Sequence, residues 1–292
     1  MAYSSDTITS LGSTESLWVV VDADPFDQIL RINTSDGALN TTFDTDGIAD
    51  APSGKIEGAV FITEGNDNFL YMVANDPGSD NWNKTKNLYK YNVKTRALAV
   101  GYPKDLSNAQ VHDDVGGLAY DGNNLIVTAK QMSNVWKVST SGDSVAQGWP
   151  CCAAVFGITG LAYHTTRGAL YGANSTTLVG LSTDLNNYSS EQSITLNTSA
   201  MSGSVGAMTF GSDVLYIGRT ESNTGYITAS AFSSSITTLP QGLALSPSDA
   251  AYLGTSIGAA LWIAVDGSPY DRVIKVNPST LAADTSFGSD AT

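Results

Sequence analysis

The sequence predicts an all-β fold, a six-bladed β-propeller of four-stranded antiparallel blades. Short runs rich in Val, Ile, Leu, Tyr and Trp recur along the 292 residues, separated by clusters of Gly, Asn, Asp, Ser and Pro. These runs group into units of roughly 40–50 residues with four strand candidates each, which is the period of a propeller blade. In addition, one stretch occurs twice without a gap: LWVVVDADPFDQILRINTSDGALNTTF at 17–43 and LWIAVDGSPYDRVIKVNPSTLAADTSF at 261–287.

The strands can be placed in chain order from these runs, as one propeller domain over residues 1–292. We predict blades at 5–46, 55–104, 113–150, 156–198, 203–240 and 242–288. The predicted strands are 7–11, 17–22, 28–33 and 38–43; 57–63, 69–75, 87–93 and 96–102; 115–121, 124–129, 134–139 and 144–149; 158–164, 169–173, 177–182 and 191–196; 205–211, 214–219, 225–231 and 235–239; and 261–266, 272–277 and 282–287.

The first strand of the sixth blade stays open between 242–246 and 251–255. Gly-Leu-Ala-Tyr at 117–120 and 160–163 is echoed by Gly-Leu-Ala-Leu at 242–245. Small residues in first strands let neighbouring backbones approach. Five or seven blades would require merging or splitting a unit. Both terminal blades take their strands from one end of the chain, unless a strand from 2–10 or 285–292 crosses over to close the ring.

Composition restricts the classes of function. With 28 acidic and 14 basic side chains the net charge is −14, which disfavours nucleic acid and anionic membranes as partners. No apolar run approaches the ~18 residues of a membrane-spanning helix, and no signal peptide is present in this segment. Charged residues make up only 14% of the chain, so Ser, Thr, Asn and Gly are expected to fill the surface instead. We expect a secreted or cell-surface protein, with this segment excised from a longer one.

The two cysteines, Cys151 and Cys152, are adjacent and cannot join distant segments. Their Cα atoms are ~3.8 Å apart across a trans peptide, below the usual ~4.4–6.8 Å of a disulfide. Two thiols in a tight turn are the favoured interpretation, and a strained vicinal disulfide is the alternative.

The units resemble NHL-like six-bladed propellers over nearly the whole chain. The tails at 37–47 and 283–290 also resemble the end of delta-60-type propeller repeats, which occur in large bacterial surface and secreted proteins. This resemblance implies a repeat protein of the cell exterior.

A further resemblance is to the gluconolactonase/SMP-30 group of six-bladed lactone and ester hydrolases. It implies a divalent cation in the central channel, held partly by Glu57 in Glu-Gly-Ala-Val-Phe, which is similar to that group's Glu-Gly-Pro motif. The chain departs from the pattern twice: Thr159 stands at the position of an Asn and Val205 at that of an Asp. Because calcium takes six to eight oxygen ligands, the cation site of this group is expected to be incomplete here.

Loops that join second to third strands are predicted to form an aromatic and acidic face. Aromatic rings with nearby carboxylates suit a sugar or a protein partner. The alternative is plain turn chemistry, in which Pro fixes φ and Asp caps the turn. The candidate ligand-binding residues are Phe26, Trp82, Tyr270, Asp22, Asp27, Asp266 and Asp271.

Calcium is the candidate cofactor. Asp44, Asp46 and Asp50 alternate with a turn-making Gly, although the run is shorter than an EF-hand loop and lacks its final Glu; a solvated connector is the alternative. The only histidines are His112 and His164, too few for a histidine-rich zinc site. Gly203-Ser204-Val205-Gly206 is not a Gly-x-Ser-x-Gly elbow, and no phosphate-binding Gly-rich loop precedes a helix.

The leading hypothesis is therefore a non-catalytic binding or structural propeller that recognises a protein or glycan, or neighbouring domains of its parent chain. A metal-dependent lactonase or esterase with Glu57 in the channel is the alternative.

Overall fold

The computed structural model of the chain forms two compact units, one of residues 1–131 and 136–146 and the other of residues 132–135 and 147–292. The residues that the structure describes are 2–4, 16–21, 28–33, 55–75, 85–109, 111, 114–129, 134–148, 160–164, 168–173, 177–181, 193–195, 204–211, 214–221, 224–231, 243–247, 250–257, 260–266, 272–277 and 279–284.

The first unit is built from antiparallel sheets whose strands follow one another along the chain. Its first sheet has the strands β1 (Ala2–Ser4), β2 (Ser16–Val21) and β3 (Gln28–Asn33). The next has β4 (Lys55–Glu64), β5 (Asp67–Asn75), β6 (Lys86–Asn92), β7 (Ala97–Leu98) and β8 (Lys104–Asp105), with both β7 and β8 paired to β6. A 3-10 turn, Leu106–Ala109, leads on to β9 (Val115–Tyr120), β10 (Leu125–Ala129), β11 (Val135–Val138) and β12 (Ser144–Gly148), a sheet that lies mostly in this unit.

The second unit repeats this plan. One sheet holds β13 (Gly160–His164), β14 (Ala169–Ala173), β15 (Thr177–Leu181) and β16 (Ser193–Thr195). Another holds β17 (Ser204–Gly211), β18 (Val214–Glu221), β19 (Thr224–Ala231) and β20 (Leu243–Pro247). The last holds β21 (Ala250–Ile257), β22 (Ala260–Asp266) and β23 (Arg272–Val276), and Val276 makes one further antiparallel bridge to Ala283.

Strand β5 shows why the sheets form. Its residues 68–75 are almost continuously buried, as expected for a strand that is covered on both faces. The core beside it consists of Leu70, Met72, Ala74, Tyr89, Tyr91 and Val93, packed by Ile56, Ala59, Phe61 and Leu98. Burying one such large side chain stabilises the fold by about 1.5–3 kcal/mol, so this cluster fixes the order of β4, β5 and β6.

Two turns in different units have the same chemistry. After β6, the side-chain Oδ1 of Asn92 accepts from the backbone N–H groups of residues 94 and 95, and Arg96 closes the turn with φ 58°. After β23, Asn277 Oδ1 accepts from residues 279 and 280, and Leu281 closes that turn with φ 55°. The asparagine side chain substitutes for a backbone turn, so the same signal ends equivalent third strands.

Glycine lets two sheets of the first unit approach. A Cβ added to Gly58 in β4 would lie 2.6 Å from the backbone N of Leu118 in β9 and 2.9 Å from the Leu118 Cβ. This agrees with the prediction that small residues in first strands allow close backbone approach.

Most predicted strands of the described residues are found with ends shifted by no more than two residues, but two regions differ. Strand β1 supplies the strand beside β2, where 7–11 was predicted; residues 7–11 lie outside the described residues. In the second unit, β20 pairs with β19, whereas β21 begins the last sheet. The Gly-Leu-Ala-Leu echo at 242–245 is therefore not a first strand, and the predicted strand 235–239 lies outside the described residues.

The fourth strand predicted at 96–102 is found only as the short β7, and β8 follows at Lys104–Asp105. Gly101, with φ 84°, lies between the two. In the part of the chain that the structure describes, no helix has the length and apolar character needed to cross a membrane.

Candidate functional site

Most of the residues predicted to bind a ligand or a metal lie outside the described residues. Asp266 is described only through its backbone, as the last residue of β22 opposite Ala250. The residues that lie outside are Asp22, Phe26, Asp27, Asp44, Asp46, Asp50, Trp82, Tyr270 and Asp271, together with Cys151, Cys152 and His112.

Glu57 is the predicted metal ligand whose side chain is described. It is half-buried at an irregularity in β4, where the register against β5 shifts between Ile56 and Gly58. Its Oε1 accepts a long hydrogen bond of 3.4 Å from Nδ2 of Asn75. Such a bulge re-aims a side chain relative to the regular pleat, which explains why Glu57 reaches the end of β5.

Asn75 is committed to holding two sheets together. Its Nδ2 donates to the Val115 carbonyl at 3.1 Å, and its Oδ1 accepts from the Val115 N–H at 2.9 Å. The side chain is buried, and both of its polar atoms are used. Asn75 therefore positions β9 against β5 and is poorly suited to serve as an oxygen ligand beside Glu57.

A complete metal centre is not formed by the described side chains. No three His, Cys, Asp or Glu residues among them gather closely enough to hold an ion. Val205, which stands where the gluconolactonase-like pattern has an Asp, is part of β17 opposite Arg219.

Buried polar side chains collect at the end of the β4–β8 sheet near Glu57. Lys55, Asn75 and Lys86 are opposite one another in the register, and Lys86, Asn87 and Asn75 are buried. Trp82 belongs to the segment between β5 and β6 that lies outside the described residues.

At mid-strand, Lys90 is held between aromatic rings and a carboxylate. Its Nζ lies 2.6 Å from Oε2 of Glu64 and 4.1 Å from the ring centroid of Phe69. Tyr71 donates its hydroxyl proton to the other oxygen of Glu64. Burial, followed by the hydrogen bond to Glu64, raises the pKa of Tyr71 far above its ordinary value. Glu64, Phe69 and Tyr71 together hold Lys90 in place.

A groove of about 450 Å³ opens where β7 ends and β8 begins. It is lined by Tyr89 and by residues 98–103. Tyr102 forms one wall: its ring meets Tyr71 edge to face, with centroids 6.4 Å apart, and its hydroxyl donates to the Thr140 carbonyl. Burial and the charge of Glu64 raise the pKa of Tyr102 as well. The Tyr102–Pro103 peptide is cis.

The groove carries an exposed apolar side chain and a cation. Val100 is fully exposed, at 103% of its reference area. Lys104 Nζ lies 5.6 Å from the Tyr102 ring centroid and 3.7 Å from where a Cβ on Gly101 would be. Sequence reasoning missed this site, although a signal was present: residues 81–104 contain six basic side chains and no acidic one.

In the second unit, His164 is fully buried in an aromatic cluster. Its ring lies 4.7 Å from the Phe210 centroid and 6.5 Å from that of Tyr171. This histidine is part of the packing between β13, β14 and β17.

The fold has clear relatives among solved structures. No family model and no curated protein matches the chain. A chain in the crystal structure of a nidogen/laminin complex is similar over 92% of this chain and 90% of its own length, with a TM-score of 0.58 and 15% identity. A 6-phosphogluconolactonase-like protein of Bacteroides uniformis is similar over 92% and 81% of the two chains, with a TM-score of 0.58 and 12% identity.

The chain has a β-propeller-like fold. It is also similar, over 89% of its length, to the extracellular domain of BT4673 from B. thetaiotaomicron, with a TM-score of 0.52 and 13% identity. It spans 33% of that longer chain. At these sequence identities the likeness shows the fold alone, and the function must be argued from the site.

Proposed function

We propose that this chain is a non-catalytic six-bladed propeller module of a secreted or cell-surface protein, and that it recognises a protein partner. The observation that carries the proposal is the likeness over nine-tenths of the chain to a protein in a nidogen/laminin complex, with a second likeness to an extracellular domain. The strongly acidic composition and the scarcity of charged residues suit the same setting.

The recognition surface proposed from the sequence is the face that holds Asp22, Phe26, Asp27, Trp82, Asp266, Tyr270 and Asp271. Buried aromatic anchors dominate binding energy in most protein interfaces, and Trp82 is the largest of this set. Of the two partner classes open from the sequence, the likeness to a chain of a nidogen/laminin complex favours a protein over a glycan.

A panel of purified extracellular proteins, passed over the immobilised chain in a surface plasmon resonance experiment, tests the proposal. We expect saturable binding to at least one protein, reduced at least tenfold by Trp82→Ala with an unchanged melting temperature. Trp18→Ala, in β2, is a control for the loss of an aromatic side chain. Hydrolysis of lactones or esters without any protein binding would refute the proposal.

A metal-dependent lactonase or esterase is the second candidate, because a lactonase-like protein is also similar in fold. It requires a cation at Glu57, where no group of three His, Cys, Asp or Glu side chains gathers among the described residues. In this case calcium would raise the stability by about 2.7 kcal/mol at a hundred times its Kd. Glu57→Gln would then abolish both the calcium-dependent rise in melting temperature and the turnover, whereas a cation at Asp44, Asp46 and Asp50 would survive that change.

A further inference from the structure

The groove between β7 and β8 lies at the outer edge of its sheet. In the order of strands, β7 and β8 both pair with β6, and among the described residues neither pairs with a further strand. The segment between them leaves the ladder: Ala99 N–H still bonds the Lys90 carbonyl, and Tyr102 N–H bonds back to Ala99. An edge interrupted in this way exposes backbone and side chains that a regular strand would hide.

Val100 marks this segment as unusual. It is fully exposed, whereas the other large exposed apolar side chain of the described residues, Val145, is at 52%. A single exposed aliphatic residue is common and carries no argument by itself. Here it stands beside the wall formed by Tyr102 and Pro103 and beside a cation, so the apolar and charged features share one groove.

The charge of the segment is opposite to that of the chain. Residues 81–104 carry +6, and the remaining residues carry −20. Two of the six cations are withdrawn from the surface, since Lys86 is buried and Lys90 is paired with Glu64. Lys94 is exposed, and Lys104 has no carboxylate of the described residues within 4.0 Å. Lys104 at the rim, without an ion-pair partner among the described residues, favours an anionic partner over a cationic one.

The chemistry of the groove favours a peptide over an anionic sugar. A sugar needs several hydrogen-bonding side chains and an exposed aromatic face. In this groove Tyr89 is buried, and the Tyr102 hydroxyl already donates its hydrogen bond to the Thr140 carbonyl. Val100, Leu98 and Pro103 instead offer apolar contacts to aliphatic side chains. A carboxylate beside an aliphatic residue would meet Lys104 and Val100 together.

We propose that the groove formed by Tyr89 and residues 98–103, with Lys104 at its rim, binds an acidic peptide segment of a partner protein. This inference rests on the proposed function and adds a surface for it that the sequence did not predict. Lys104 supplies the charge, and Val100 supplies the apolar contact.

Fluorescence anisotropy of a short labelled peptide of alternating Glu and Leu, titrated with the full chain, tests the inference. We expect binding that weakens as salt is added, because exposed charges are screened, and no binding of the matching Gln/Leu peptide. Lys104→Gln should weaken binding roughly threefold, as for one exposed ion pair, and Val100→Ser about fivefold through lost apolar burial. Lys275→Gln and Val145→Ser, which remove the same groups elsewhere, should bind as the unmodified chain does.

Equal binding of the Glu/Leu and Gln/Leu peptides, equal loss in the control variants, or no binding would overturn the inference. So would a salt-sensitive dimer that Lys104→Gln dissolves, since the occupant would then be a second copy of this chain. The proposed function is tested separately. If a protein partner binds in a way that depends on Trp82 and not on Lys104, the proposed function stands and the groove inference is wrong. Loss of all partner binding alongside lactone turnover removes the function itself.

Discussion

Gly58→Ala should destabilise the chain, although the same change in an open strand stabilises a protein by about 0.5–1 kcal/mol. The added Cβ would lie 2.6 Å from the Leu118 backbone N, which is 0.8 Å short of the 3.4 Å where ordinary contact begins. Because the obstacle is backbone, no rotamer change relieves it, and β4 and β9 must move apart. Overpacking of this kind typically costs about 1–3 kcal/mol.

Urea unfolding of the Gly58→Ala variant and of the unmodified chain, followed by circular dichroism, measures this loss of stability. Gly65→Ala is the matched control: Gly65 has φ 64° and nothing within 4 Å of its added Cβ, so it reports left-handed strain of about 1–2 kcal/mol without crowding. Adding Leu118→Ala to Gly58→Ala should not restore stability, since the backbone N remains at 2.6 Å. A Gly58→Ala protein as stable as the unmodified chain would refute the close approach of β4 and β9.

Three other substitutions test the packing described above. Burial alone would raise the pKa of Asp121, but Lys137 at 2.7 Å and two backbone N–H donors lower it below 3.8. The ionised Asp121 therefore stabilises the folded chain fully above the unfolded pKa of ~3.9. This contribution is lost as the pH falls through the lower folded pKa. Asp121→Asn should flatten the acid limb of a stability-against-pH curve. The raised pKa of Tyr71 gives the opposite pH dependence: the protonated hydroxyl stabilises the folded chain below about pH 10, and this contribution is lost as the pH rises further. The Tyr71→Phe variant should therefore lose a smaller part of its neutral-pH stability at alkaline pH than the unmodified chain does. Asn75→Ala removes both bonds to the Val115 backbone and should cost about 2–4 kcal/mol in urea unfolding.

The strand pattern was predictable because the apolar runs are short and are bounded by turn residues, which favours strands over helices. The run 69–75 forms a buried strand, and Asn92 and Asn277 begin the turns that follow third strands. The echo at 242–245 misled because Gly-Leu-Ala fits any strand that packs closely, and pairing with β19 rather than motif similarity decides its place.

The site was harder to predict, because it depends on distances between strands. Nothing in the sequence shows that Asn75 spends both polar atoms on Val115, and this pairing is what weakens the case for a cation at Glu57. The groove also needs the break between β7 and β8, where Gly101 takes φ 84°. Its charge, in contrast, follows directly from the amino acids of residues 81–104.

Binding and turnover measured on one preparation test the central claim most directly. The chain and its Glu57→Gln variant would be assayed for binding to the extracellular protein panel and for hydrolysis of lactone and ester substrates with calcium. A protein-recognition module predicts saturable protein binding that is equal in both, with no hydrolysis above background. Hydrolysis that Glu57→Gln abolishes, without protein binding, would contradict the account.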